Sequence, residues 1–385
     1  MSEKQKNIKQ PTAPSARAEK VREPLFHIVK KSYNHWWQSW IYRIVAFIGA
    51  LVLCGILTYA LTSANGKAAN PFDVYVAMFE GNFKNMDTVW PILKETAILL
   101  CIAIAITPAF KMRFWNIGAE GQVLVGAFAA FAFMYLYGKS IKNWLLLIIM
   151  CVCAIVAGAL WALLPAVFKA RWGTNETLFT LMMNYIAIHF VNHFINLWSG
   201  NSTTIRMGID WIISRKGKFP RIFGQEYFVP VIIVLALSAI AFIYLKFSKQ
   251  GYEISVVGES ENTARYVGIN VKKVIIRTML ISGAICGIAG FLLVTIDTTI
   301  TSSTAGGNGF TAIMVSWLAK FNPIYMIFTA FLITFFKQSG DEITKACSLS
   351  QDYNEIITAI IILFIIGSEF FINYSLKFRK KEATK

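Results

Sequence analysis

Apolar residues dominate long stretches of the chain, longer than the alternating or three-four spacing of a half-buried element would give. The runs lie at 41–61, 89–110, 115–137, 144–168, 177–198, 228–246, 277–297 and 353–374. Each is near the ~20 residues a helix needs to cross the bilayer hydrocarbon. Two shorter runs follow one another at 309–319 and 323–338. The first would reach only about 16 Å as a helix, against roughly 30 Å of hydrocarbon. It follows the flexible stretch Ser302 to Gly309 and is interrupted by Lys320, Asn322 and Pro323. The pattern predicts an all-α, polytopic transmembrane helical bundle of about eight to ten spans. Residues 309–338 form its short broken or re-entrant pair, the kind of interruption that lines a transport site.

Composition agrees. Of 385 residues, 56% are hydrophobic and 15% charged, with a mean hydropathy of +0.54, too apolar for a soluble globule. The net charge of +16 is carried between the apolar runs and not along one soluble face, so it argues for a membrane and against nucleic acid. Five of the six cysteines (Cys54, Cys101, Cys151, Cys153 and Cys286) sit inside apolar runs, and no disulfide or metal framework is expected. The Lys-rich residues 1–22 read as a disordered tail, with no cleavable signal. Leu25 to Trp40 reads either as a helix at headgroup level, from Trp36, Trp37 and Trp40 beside Lys30 and Lys31, or as the start of the first span. The expected organisation is a basic tail and juxtamembrane segment (1–40), a membrane domain (41–375) and a basic C-terminal tail (376–385). Most Lys and Arg fall on one side if the chain starts inside, which predicts cytoplasmic termini. Loop 199–227 is discordant, with Arg206, Arg215, Lys216, Lys218 and Arg221 on the outside, and would suit docking of an acidic solute-binding partner.

Four segments carry candidate chemistry. In the first, Asn116 to Gln122, Asn116 either caps the third span with Glu120 complementing its positive end, or Glu120 and Gln122 line a polar path. The second leads from Gly173 through Asn184 to Tyr185, His189, Asn192, His193 and Asn196, whose spacing puts these five on one helix face. A polar stripe at that depth faces protein or water, as a solute path or as interhelical hydrogen bonding. His189 and His193 have no carboxylate beside them to complete a metal site. The third, in the loop 251–270, predicts a short helix over 261–267 that ends at Gly268 and docks a partner. The fourth is Gly307 to Pro323. No catalytic constellation is present: Gly138-Lys139-Ser140 lacks the upstream glycine of a phosphate loop, since Phe133 stands there. Glu95, Glu120, Glu176 and Asp297 lie near span ends, unlike the buried charges of ion-coupled carriers, so the driving energy is expected from elsewhere.

With these motifs in order, residues 85–375 resemble the branched-chain amino acid, ribose and nucleoside permease family of bacterial ABC importers. The Asn116–Gln122 segment, the Asn175-Glu176 turn leading to Asn184-Tyr185, and the Gly258–Ile269 loop look most like the nucleoside branch. Ser255, Ser260 and Lys320 depart from the family's usual arginine, asparagine and glycine. The resemblance implies a non-catalytic permease for purine or pyrimidine nucleosides in the bacterial cytoplasmic membrane, with simple sugars or riboflavin as alternatives. It also implies three partners: an ATPase subunit that binds ATP and Mg²⁺, a second homologous permease, and an extracellular solute-binding lipoprotein. The permease itself would need no cofactor or metal. In that reading Asn116, Glu120, Gln122, Asn184, His189, Asn192, His193 and Asn196 border the solute path. Gly258, Glu261, Asn262, Ala264, Arg265, Tyr266, Gly268 and Ile269 form the coupling helix.

Overall fold

The computed structural model describes residues 26–31, 36–64, 71–200, 202–208, 211, 214–347, 349 and 351–378. The predicted tail 1–22 and residues 379–385 lie outside the described residues. Thirteen helices are present among them: α1 Trp36–Ala64, α2 Pro71–Phe83, α3 Met86–Lys111, α4 Ala119–Tyr137, α5 Asn143–Trp172, α6 Glu176–Ser199 and α7 Phe228–Phe247, then α8 Lys249–Glu259, α9 Glu261–Tyr266, α10 Val271–Asp297, α11 Asn308–Leu318, α12 Pro323–Cys347 and α13 Gln351–Asn373. Eight of them are long and apolar enough to cross a membrane, and each coincides with one predicted run. The 115–137 run starts as helix only at Ala119, because Asn116 holds the preceding turn by accepting from the Gly118 N–H at 3.1 Å. The 277–297 run begins earlier, at Val271, where Asn270 caps the helix by accepting from the Lys273 N–H.

Two compact units divide the chain. One comprises the residues up to Gly49 with those from Leu363 onward, the other Ala50–Ile362. In the first, β1 (Phe26–Lys30) pairs antiparallel with β4 (Tyr374–Phe378), so that Phe26 stands opposite Phe378. Of the two readings of Leu25 to Trp40, a separate headgroup helix is corrected by the strand at Phe26–Lys30, while Trp36 to Trp40 do form the start of the first long helix. Arg43 donates to Glu369 at 2.5 Å, and Lys31 to the Phe371 carbonyl at 2.8 Å.

In the second unit, α3, α4 and α10 form the inside: 67%, 72% and 72% of their spans are buried, against 28% for both α5 and α7. From Ala97 to Ile106 every residue of α3 is buried, as expected of a helix apolar on all sides. Packing of α10 on α5 and α4 uses small residues. A Cβ at Gly287 would stand 2.1 Å from the Ala154 carbonyl oxygen, so only glycine permits this crossing. The short pair resolves into an 11-residue α11 and a 25-residue α12 that runs on past the predicted end at 338. They are joined through Lys320 (φ 51°) and Phe321 (φ 58°). That left-handed backbone accounts for the glycine usual at the Lys320 position in the family it resembles. Neither α2 nor the ribbon of β2 (Thr204–Arg206) with β3 (Thr299–Thr301) had a counterpart in the sequence reading.

Candidate functional site

The start of α4 is a buried polar junction. Glu120 receives two backbone N–H groups from the start of α11, Gly307 to Oε1 and Gly309 to Oε2, each at 2.7 Å. Gly306 and Gly307 take positive φ; the Gly306 N–H closes the preceding turn on the Ser303 carbonyl at 2.9 Å, and the Gly307 N–H is left facing the carboxylate. A Cβ at Gly309 would stand 2.5 Å from the Glu120 nitrogen, so glycine is required for the approach. Glu120 therefore serves the positive end of α11 and not of its own helix, a correction to the first reading of that residue. Asn116 is not the cap either. Gly118 holds that position, while Asn116 donates to Ser282 Oγ at 3.3 Å and exchanges bonds with Gln122 (3.2 and 3.4 Å). Asn184 of α6 closes the junction: its Oδ1 accepts from the Gly121 N–H at 2.8 Å and its Nδ2 donates to the Ile117 carbonyl at 2.9 Å. Thr180 accepts from the Ile117 N–H at 3.2 Å.

Asn116, Glu120, Gln122 and Asn184 are thus enclosed and fully used in joining α4, α6, α10 and α11. The remaining path candidates lie elsewhere. The buried face of α6 carries Thr180, Met183, Asn184, Ala187, Val191 and Ile195. Tyr185, His189, His193 and Asn196 are exposed and Asn192 half-buried, on the opposite face. Eight residues expected together are therefore two groups, because Asn184 is about 100° of helix turn away from Tyr185, where the stripe begins. An open hollow of about 370 Å³ follows the first turns of α6 past Leu178, Met182 and Ile186. Its walls are mostly apolar, so the polar path candidates begin beyond it.

Ser260 caps α9 by accepting from the Thr263 N–H, and Gly268 ends the turn at φ 83°. Glu261, Asn262, Arg265 and Tyr266 project outward; Tyr266 is 93% exposed and Arg265 pairs with Glu261 at 3.3 Å. Three residues assigned to the same partner contact face inward. Ala264 is fully buried, Ile269 packs with it against the cluster around Ile254 and Val271, and Gly258 abuts the end of α3. A Cβ at Gly258 would stand 2.2 Å from the Lys111 carbonyl oxygen. The first part of the loop 251–270 is helical too: Lys249–Glu259 form α8, whose Gly251 and Gly258 allow close packing against neighbouring backbone.

Three cations of the basic loop before α7 gather on one carboxylate, Glu226. Arg215 and Lys218 approach Glu226 at 3.2 and 3.6 Å, and Arg221 Nε donates to it at 2.9 Å. Burial raises the Glu226 carboxyl, but the Arg221 hydrogen bond and the charges of Lys218, Arg215 and Arg221 outweigh it and hold it below its ordinary value. Lys216 donates to the Gly138 and Lys139 carbonyls at the end of α4. Four of the five cations read as a docking surface are therefore engaged within the loop and its neighbour, leaving Arg206 exposed on β2.

A bundle with a central apolar helix, small-residue crossings and a half-length helix held by a carboxylate is a multi-pass membrane protein built for transport. Residues 89–366 match the profile of the branched-chain amino acid transport system permease component family, and the chain belongs to that family. It is 28% identical to a guanosine ABC transporter permease of Bacillus subtilis, over 76% of this chain and 85% of that protein. A glucose ABC transporter permease of Haloferax volcanii is 24% identical, over 88% and 90%. A nucleoside ABC transporter permease of Lactococcus lactis subsp. cremoris is 25% identical, over 77% and 84%. The chain is a permease component of the plasma membrane, and its family assignment is not that of an enzyme.

Proposed function

We propose that this chain is the membrane-spanning subunit of an ATP-driven importer that carries nucleosides into the cell. The observation that carries the reading is the exposed stripe His189, Asn192, His193 and Asn196 on α6. Its imidazole and amide groups match the base edges and ribose hydroxyls of a nucleoside without demanding charge. Such groups are costly against lipid and call for a polar path or a covering protein. A second, homologous permease supplies that cover. The relatives named for guanosine and nucleosides support the solute class. ATP and Mg²⁺ belong to a cytoplasmic ATPase that meets the outward face of α9, and an extracellular solute-binding lipoprotein delivers the solute. Both termini are cytoplasmic in this arrangement.

Uptake of labelled guanosine by proteoliposomes carrying the assembled importer tests the reading. Asn192→Leu is expected to cut uptake while assembly with the ATPase is retained. Unchanged uptake in a well-expressed variant would make the stripe packing only. The glucose relative, which aligns over most of this chain, favours a sugar as the second reading. Competition of guanosine uptake by glucose separates the two. For α9, Arg265→Glu and Gly268→Val are expected to weaken ATPase co-purification and solute-stimulated ATP hydrolysis; wild-type values for both would leave it a connector.

A further inference from the structure

The family profile covers residues 89–366, so both strands of the β1–β4 ribbon lie outside it. The ribbon is rooted where a span ends. Tyr374 follows directly on Asn373, the last residue of a candidate span, and the Lys31 N–H donates to the Asn373 carbonyl at 2.9 Å. The Lys31 ammonium donates to the Phe371 carbonyl and the Tyr42 hydroxyl, and stands 4.4 Å over the Tyr42 ring. Lys30 stands opposite Tyr374 on the first rung. Strands rise about 3.4 Å per residue, and the headgroup layer outside the hydrocarbon is roughly 5–7 Å thick on each side. The rung of Lys30 and Tyr374 therefore stands in that layer.

Residues paired across a ribbon share a face, and successive residues alternate between faces. Phe26, Ile28 and Lys30 share one face's positions with Phe378, Leu376 and Tyr374, while His27 with Lys377 falls on the other. One face is mostly apolar and the other carries charge. Ile28 is 56% exposed and Tyr374 38%, so the chain leaves these positions of the apolar face open. A two-stranded ribbon alone in water is marginally stable, and an open apolar face calls for cover. A tie between α1 and α13 is the simpler account, but Arg43 with Glu369 and Lys31 with Phe371 already make one. It gives no use to apolar positions farther out along the ribbon. The charge beside them is basic: Lys30 is exposed, Lys377 lies on the rung before the last, and Arg379, Lys380 and Lys381 follow in sequence. An apolar face with basic residues at headgroup level fits an anionic lipid surface, where buried apolar area and electrostatic attraction add.

We infer that the β1–β4 ribbon is a docking site for anionic phospholipid, its apolar face set into the headgroup boundary and Lys30 and Lys377 supplying the charge. In the proposed orientation that surface is the inner leaflet. Neither the solute nor the ATPase enters this site.

The test uses the full chain in nanodiscs of phosphatidylcholine, or of an equal mixture with phosphatidylglycerol, which are open on both faces and so indifferent to orientation. Hydrogen exchange is read in peptides covering 26–31 and 374–378. Exchange is expected to be roughly ten- to thirty-fold slower in the mixed discs, since each basic residue near an anionic surface contributes about five-fold. High salt should shrink that difference without any variant being needed. Lys30→Gln combined with Lys377→Gln should bring the two discs within about two-fold of each other at an unchanged melting temperature. Ile28→Ser should speed exchange in both discs, because its contact is apolar. Equal exchange in the two discs, a difference that survives both high salt and the double variant, or no effect of Ile28→Ser would overturn the lipid site. Protection that appears only when an ATPase subunit is added would also overturn it and assign the ribbon to a protein partner.

Discussion

Replacing Glu120 by glutamine changes one atom at the point where α4 holds the start of α11. Both carboxylate oxygens accept a backbone N–H at 2.7 Å, from Gly307 and Gly309. An amide retains one acceptor and turns its NH₂ toward the second N–H, leaving two donors facing each other. Gly309 is buried, so water does not replace the lost partner. A charge-assisted hydrogen bond contributes roughly 1.5–3 kcal/mol, and the charge at a helix N-terminus adds about 0.3–1 kcal/mol. Glu120→Gln should therefore cost roughly 2–4 kcal/mol, or about 5–15 °C of melting temperature at ~2–4 °C per kcal/mol for a large domain. Glu120→Ala, with neither acceptor, should cost more. Thermal unfolding in detergent measures the loss, and hydrogen exchange of a 302–310 peptide locates it. The control is Glu95→Gln: Glu95 pairs with Lys94 at 3.0 Å and is about one-third exposed, and such pairs contribute only ~0–1 kcal/mol. A Glu120→Gln melting point within about 2 °C of wild type, or no rise in exchange at Gly307–Gly309, would refute the latch.

Three further outcomes follow from close approach and charge. Gly287→Ala, with its Cβ 2.1 Å from the Ala154 oxygen, should destabilise by about 1–3 kcal/mol, while Gly367→Ala, with nothing within 4 Å, should stabilise by about 0.5–1 kcal/mol. Melting curves with the same sign for both would contradict the packing account. Gly258→Ala should cost a similar ~1–3 kcal/mol in the purified chain without any ATPase present, since its Cβ would meet the Lys111 carbonyl; a defect seen only with the ATPase bound would return Gly258 to the partner interface. Because the folded-state pKa of Glu226 is lowered, its stabilisation is present above the ordinary value of 4.5 and is lost as pH falls through the lower folded value. The melting-point gap between wild type and Glu226→Gln should be full at neutral pH and close in strong acid. A gap that persists or widens on acidification would show that the three cations do not hold this carboxylate.

How much of this was legible differs by element. All eight long helices were readable from apolar run length alone, since a span's length and hydropathy are properties of consecutive residues. The short helix α9 was readable from a capping serine and a terminating glycine eight positions apart, Ser260 and Gly268. The stripe on α6 was readable from 3.6-residue periodicity. The aromatic spacing Phe190, Phe194, Trp198 was equally visible on that helix, but not that these rings pack around Phe128 of α4.

Tertiary structure decided whatever depended on distant partners. Glu120 bonds residues 187 and 189 positions away, and nothing near it in sequence marks that use. Arg215, Lys218 and Arg221 read as a free basic patch until they converge on Glu226. Residues 251–259 read as loop, whereas neighbouring backbone approaching within van der Waals distance of Gly251 and Gly258 packs them as a helix. Phe26 stands opposite Phe378 in a ribbon of two segments far apart in sequence. The sequence by itself determined where helices cross, because the bilayer imposes one local rule on every span. Which face of each helix is enclosed, and which polar groups are already satisfied, was set by contacts between spans, which a one-dimensional pattern does not contain.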